Sequence, residues 1–154
     1  MNFIPVDPEN PMHVRFLYSL YVYRPIEARI SSTPDLTMAN HQAYVRAHPY
    51  RYWWLIQAPT PLDLPPLLGS IYIGNDNSIG IAVHPLARGR GHGTKAVQYL
   101  LDHYDPLPAI SGVRRGEWIA NVAPGNERAR LFFARLGFEF IQVTYARTGR
   151  GGTS

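Results

Sequence analysis

The sequence predicts a single α/β (α+β) domain, with a mixed, mostly antiparallel sheet and helices on both of its faces. Three observations carry that prediction. The chain has 154 residues, 45% of them hydrophobic, enough for one domain with a real core. Runs rich in aromatic and β-branched residues recur between Pro, Gly and Asn clusters, the pattern of strands separated by turns. Adjacent strand runs come first, and strand-helix-strand units follow, an order that suits helices on two faces.

Along the chain, Phe3–Val6 reads as a short strand. Pro11–Tyr23 reads as a helix, since Val14, Leu17, Tyr18 and Tyr21 fall at helical spacing and Pro25 stops it. Residues 31–37 form a loop, in which Thr37 or Asp35 can cap a second helix running to Pro49. Tyr50–Ala58 is a strand with Trp53 and Trp54 on opposite sides. Residues 59–66 hold four prolines and read as a loop. Leu67–Ile73 and Ser78–Val83 are strands joined at Gly74-Asn75-Asp76-Asn77, residues that tolerate positive φ. Thr94–Tyr104 is a helix with Ala96, Val97, Leu100 and Leu101 inward. A connection, Pro106–Arg115, leads to a strand at Glu117–Val122. Asn126–Leu136 is a helix capped by Asn126 and closed by Gly137. Phe138–Arg147 reads as a final strand, so the domain spans 1–147 and 148–154 is a flexible Gly-rich tail.

Composition excludes several classes of function. With no cysteine there is no disulfide framework, thiolate nucleophile or zinc–thiolate site, and no metal is expected. The sequence holds neither an apolar span of membrane length nor a signal-peptide pattern at Met1–Asp7, which points to a cytoplasmic protein without membrane attachment. The net charge of +4 suits an anionic partner, whether a cofactor phosphate, a nucleotide or a nucleic acid, although most of these charges read as a solvated surface.

The segment Ile79–Thr94 carries the chemistry. A strand ends, a short loop follows, and a helix begins near Gly93. The first N–H groups of a helix lack intrahelical partners, and the helix dipole adds partial positive charge there. Glycines at 89, 91 and 93 let a ligand approach the backbone, while Arg88 and Arg90 add charge with bidentate geometry. Together they make a pyrophosphate cradle. The spacing fits neither the Walker A loop nor the dinucleotide fingerprint G-x-G-x-x-G.

Arg88-Gly89-Arg90-Gly91-His92-Gly93 resembles the [QR]-x-x-G-x-[GA] signature of GNAT acyltransferases. Asn126 to Phe138 is similar to a second block of that superfamily, N-x-x-A-x-x-x-[YF]-x-x-x-G-F. The order and separation of the blocks also match, so the resemblance covers nearly the whole chain. It implies a splayed sheet and acetyl-CoA as co-substrate. It places Ile81, Ala82 and Val83 on the strand that pairs with the pantetheine arm. Arg88, Gly89, Arg90, Gly91, His92, Gly93 and Thr94 would hold the pyrophosphate, and Asn126 and Phe133 would lie at the cofactor. Many members have tyrosine at the position of Phe133, acting as a general acid; phenylalanine has no proton to give, so an apolar packing role is expected. A homodimer is expected by family habit alone.

N-acylation needs a neutral amine, hence a base. His41 is the first candidate for base or substrate contact, with an exposed helix histidine as the competing reading. His84 is expected to serve its loop. Asn121 is a candidate contact to pantetheine or acceptor, and Tyr72 and Tyr145 are candidate pocket walls. The segment His41–Trp53 is similar to GNAT enzymes acting on amino-sugar nucleotides. The reading is therefore direct transfer of an acetyl group to a primary amine, the acceptor being an amino-sugar nucleotide or another small amine. The alternatives are acylation of a macromolecule, either a protein amine or a nucleic-acid base, and a non-catalytic acyl-CoA-binding module.

Overall fold

The computed structural model describes residues 1–24, 37–59, 67–145 and 147. Four strands, β1 (Asn2–Pro5), β2 (Tyr52–Gln57), β3 (Leu67–Ile73) and β4 (Ile79–Val83), form an antiparallel sheet in the order β1-β2-β3-β4. Among the described residues four α-helices accompany them: α1 (Pro11–Val22), α2 (Met38–Ala47), α3 (His92–His103) and α4 (Glu127–Arg135). The register pairs Trp54 with Ile71, and Ile71 with Ile81.

Successive side chains of a strand alternate in direction, and that alternation builds two cores. On one face Ile56, Ile71, Ile73 and Ile79 pack with Ala96, Val97 and Leu100 of α3. On the other, Trp53 and Leu55 pack with Val14, Leu17 and Leu20 of α1 and Val45 of α2. Trp53 and Trp54 do face opposite sides. Each fully buried aliphatic side chain, such as Leu55 or Ile71, contributes about 2 kcal/mol of transfer free energy.

Three helices start under a side-chain cap. Asn10 accepts from Met12 N–H, Thr37 from Asn40 N–H and Asn126 from Ala129 N–H. Thr37 is thus the cap of α2. Helix α3 starts at Gly91, in the left-handed region at φ +80°, with no side-chain cap.

Two predicted strands are not observed as such. Glu117–Val122 makes only a parallel bridge, Ser78 to Ile119, with Ile79 N–H donating to Ile119 O (2.9 Å) and Ile119 N–H to Asn77 O (3.0 Å). Residues 138–145 form no strand; Phe140, Ile141, Val143 and Tyr145 are exposed. A strand pattern states a preference for extended backbone, and without a neighbour to take its hydrogen bonds that preference does not become a strand. The predicted tail 148–154, most of the loop 31–37 and most of the Pro-rich segment 59–66 lie outside the described residues.

Buried Asn77 staples the connection after α3 to the β3–β4 turn. Its amide nitrogen donates to Leu107 O (2.9 Å) and Arg115 O (2.7 Å), and its oxygen accepts from Leu107 N–H (2.7 Å). That staple delivers Ile119 to the start of β4. Among the described residues no helix is long and apolar enough to cross a membrane.

Candidate active site

β4 is paired on both sides only at its start. His84 N–H donates inward to Leu68 O (2.7 Å), and Ile79 N–H donates outward to Ile119 O (2.9 Å). Backbone groups of an antiparallel strand alternate in direction, so Ala82 faces β3 while the N–H groups of Ile81 and Val83 face outward. Beyond the Ser78–Ile119 bridge, residues 120–122 form no ladder with β4. Asn121, exposed, lies on that unpaired segment.

The outer edge runs straight into the Arg–Gly loop. A 3-10 turn, Pro85–Ala87, turns the chain, and Arg88 Nε donates back to Val83 O (3.1 Å), closing the loop onto the strand end. Gly89 (φ +78°) and Gly91 (φ +80°) adopt a conformation that L side chains rarely take, and a Cβ on either would project into open space. The first N–H groups of α3 therefore have no side-chain cap, and the glycines before them leave open space beside the backbone, the arrangement that binds phosphate oxygens. His92, half-buried at the first helical position, has a buried Nε2 without a hydrogen-bond partner. Arg90 and Thr94 are exposed beside it.

Gly93 knits three elements together. Its α-carbon lies so close to Val83 of β4 and Phe132 of α4 that a Cβ would stand 3.5 Å from each side chain. Phe132, which the sequence reading passed over, is therefore the ring beside the loop. Its neighbour Phe133 is buried against Phe132 and Phe138. Two consecutive phenylalanines sit about 100° apart on a helix, and the sequence alone does not say which one faces the loop. The Asn126 side chain is engaged in capping α4.

The opposite face of β4 is lined with rings. The Tyr72 ring covers Gly80, where a Cβ would stand 1.9 Å from Tyr72 Cε2. Tyr50 stacks on Tyr72 with ring centroids 3.8 Å apart, and the Tyr44 and Tyr50 hydroxyls are hydrogen-bonded. Tyr21 meets Tyr44 edge-on, with the Arg24 guanidinium 5.0 Å over its ring. Burial pushes the Tyr44, Tyr50 and Tyr72 hydroxyls up, so they stay protonated. Tyr145, the other expected pocket wall, is instead 91% exposed.

His41 belongs to this face but is neither exposed nor open. It is 3% accessible, its Nε2 lies 3.0 Å from Val14 O, and Tyr18, Tyr21 and Tyr44 surround it. Burial lowers its pKa, against an opposing effect of the Val14 bond, so the ring is neutral and its Nε2–H ties α2 to α1.

The GNAT acetyltransferase family model matches residues 17–138. None of the curated proteins matches the chain. Among solved structures, mutant forms of the spermidine/spermine N-acetyltransferase SpeG from Vibrio cholerae share the fold. They have a TM-score of 0.62 and 15% identity, over 90% of this chain and 78% of that one. A chimera of that SpeG with hSSAT gives a TM-score of 0.63 at 14% identity, over 90% and 82% of the two chains. The family match spans both faces of β4 and the Arg–Gly loop, and the chain belongs to the GNAT family of acetyltransferases, as an acyl-CoA-dependent N-acyltransferase.

Proposed function

We propose that the protein transfers the acetyl group of acetyl-CoA to a primary amine of a small acceptor by direct attack. The observation that carries this reading is the continuity of the outer edge of β4 with an uncapped helix start preceded by two positive-φ glycines. Ile81 and Val83 would pair with the pantetheine arm through outward backbone groups, and Ala82 would pack beside it. The backbone from Arg88 to Thr94 would hold the pyrophosphate, with Arg88 and Arg90 adding charge. The residues fit that group: the space beside Gly89 and Gly91 is open, the helix start is uncapped, and His92 Nε2 lacks a partner.

Bound acetyl-CoA supplies an activated thioester. The chain contributes orientation, and outward N–H groups on β4 that can polarise a carbonyl. Direct attack suits a chain that has no cysteine to carry the acyl group and no convincing Ser-His-Asp set in its sequence. Asn121, on the unpaired segment past Ile119, is proposed to contact the arm or the acceptor. His41 is assigned to holding α1 and α2 together and not to proton removal, because its ring is only 3% exposed, enclosed by Tyr18, Tyr21 and Tyr44, and donates its Nε2–H to Val14 O. Phe133 serves as packing. The acceptor enters on the ring-lined face, whose tyrosines suit an amino-sugar nucleotide or another small planar or cyclic amine. The polyamine acetyltransferases that share the fold also act on small amines, by their names.

Calorimetric titration with acetyl-CoA tests the reading. The wild type is expected to bind. Gly91→Glu puts a carboxylate into that open space and is expected to abolish binding, while its circular dichroism spectrum stays that of the wild type. Failure of the folded wild type to bind overturns the proposal.

A further inference from the structure

We propose that His84 donates a hydrogen bond to the acceptor, and that the acceptor therefore carries an oxygen close to its amine and is not a simple polyamine. The inference rests on the acyltransfer reading above and specifies its substrate class.

His84 directly follows β4, and its Nδ1 accepts from Leu86 N–H at 3.2 Å. In a neutral imidazole one nitrogen accepts and the other donates. With Nδ1 serving the turn, the proton sits on Nε2, and no free lone pair remains for a base. The ring is also held in plane. Phe16 stacks against it at 6.2 Å and 18°, and Tyr23 meets it edge-on at 5.7 Å, both from the α1 side. The donor thus stands one residue beyond the outward N–H of Val83, on the face where the amine enters.

Arg24 adds a second donor-only group on that face, over Tyr21 at 5.0 Å. Its charge reaches the Tyr50 and Tyr72 hydroxyls, where it opposes the upward push of burial. Donors match oxygen lone pairs, as in a hydroxyl, carbonyl, carboxylate or phosphate. A protonated polyamine offers only more donors and more positive charge, which sets it against both groups. The turn alone does not demand histidine, because an asparagine Oδ1 would accept the same Leu86 N–H. What histidine adds is the Nε2–H, a donor one bond further from the backbone than the Nδ2–H groups of an asparagine held in the same turn.

Steady-state kinetics of wild type and His84→Asn, at saturating acetyl-CoA, test the proposal on two acceptor sets. One set is lysine and glucosamine; the other is cadaverine, which is lysine without its carboxylate, and spermidine. In the wild type the oxygen-bearing acceptors are expected to lead in kcat/KM by about tenfold, the effect of one hydrogen bond to a polar or charged group. His84→Asn is expected to erase that lead through the KM of the amine, leaving acetyl-CoA affinity by calorimetry and the melting temperature unchanged. A wild-type preference for cadaverine or spermidine overturns the proposal. So does a lead that survives in His84→Asn, or turnover of neither oxygen-bearing acceptor. If the wild type fails to bind acetyl-CoA, the acyltransfer reading falls and this one falls with it; normal binding with the wrong acceptor preference sinks this one alone.

Discussion

The two faces of β4 are built from different materials. On the α3 side the site is backbone: outward N–H groups, two glycines in the left-handed region and a bare helix start, all between Ile79 and Thr94. On the α1 side it is side chains: Phe16, Tyr21, Tyr44, Tyr50, Tyr72 and His84, drawn from both helices, the approach to β2, strand β3 and the end of β4. A phosphate is recognised by N–H groups that one short stretch of chain can supply, so that face is a motif. An acceptor is recognised by shape and by placed donors, and only the tertiary fold collects those.

The joint between the faces is Gly80, and it gives the largest expected effect. Gly80→Ala would push a methyl group into the Tyr72 ring, which Tyr50 pins from beyond. Overpacking of that kind costs about 3 kcal/mol, and chemical denaturation would read it as a lower midpoint. If the two faces are separable, the remaining folded enzyme should lose amine KM more than acetyl-CoA affinity. Equal loss of both would break the comparison.

Arg88→Ala probes the backbone face alone. It removes a positive charge and the hydrogen bond to Val83 O. Acetyl-CoA affinity by calorimetry should fall by about 2 kcal/mol, roughly thirtyfold, while the amine KM holds. An unchanged affinity would move the pyrophosphate elsewhere.

The same contrast explains what was legible in the sequence. The Leu67–Ile73 strand stands where alternation and turn residues put it, and α3 and α4 differ from expectation only at their ends. The loop Arg88–Gly93 could be read because its glycines and arginines are contiguous, and Gly89 and Gly91 take the positive φ that glycine permits. The burial of His41 is not legible, because a histidine on a helix shows nothing in sequence of the α1 carbonyl it meets; that partner, Val14, is 27 residues away. The tyrosine cluster was illegible for the same reason. Tyr50 and Tyr72 read as ordinary strand aromatics, and only the β2–β3 register stacks them. Glu117–Val122 has strand composition, but past the bridge at Ile119 it has no strand partner to pair with among the described residues.

The role given to His41 makes a smaller prediction on the side-chain face. Its folded pKa lies below the 6.5 of the free imidazole because burial penalises the charged ring. Below pH 6.5 the unfolded chain therefore holds more protons than the folded one. The stability this group contributes is fully present above 6.5 and is lost as pH falls through the folded value. In His41→Gln, whose amide can still donate to Val14 O, that acid-side loss should disappear, at a cost of about 1 kcal/mol at neutral pH. Urea melts of both proteins across pH 5 to 8 measure the difference. A kcat pH profile that changes while the stability slope does not would return His41 to proton transfer.

The smallest effect is expected at Phe133. If the α3 side only binds and orients, restoring a hydroxyl there should add nothing to turnover. Phe133 is buried against Phe132 and Phe138, and it is Phe132 that stands beside Gly93 and Val83. A tyrosine hydroxyl at 133 would enter a nest of rings and cost about 1 kcal/mol of stability unless it found a partner. A thiol of pKa about 8.5 leaves as its anion without strong acid assistance, so little is gained by supplying a proton. Phe133→Tyr should therefore leave kcat within about twofold, under 0.5 kcal/mol of barrier. A tenfold rise would mean that the sulfur lies within reach of position 133 and that proton donation limits the native enzyme. The backbone face would then be missing a catalytic side chain, and would not be the purely binding half of the site.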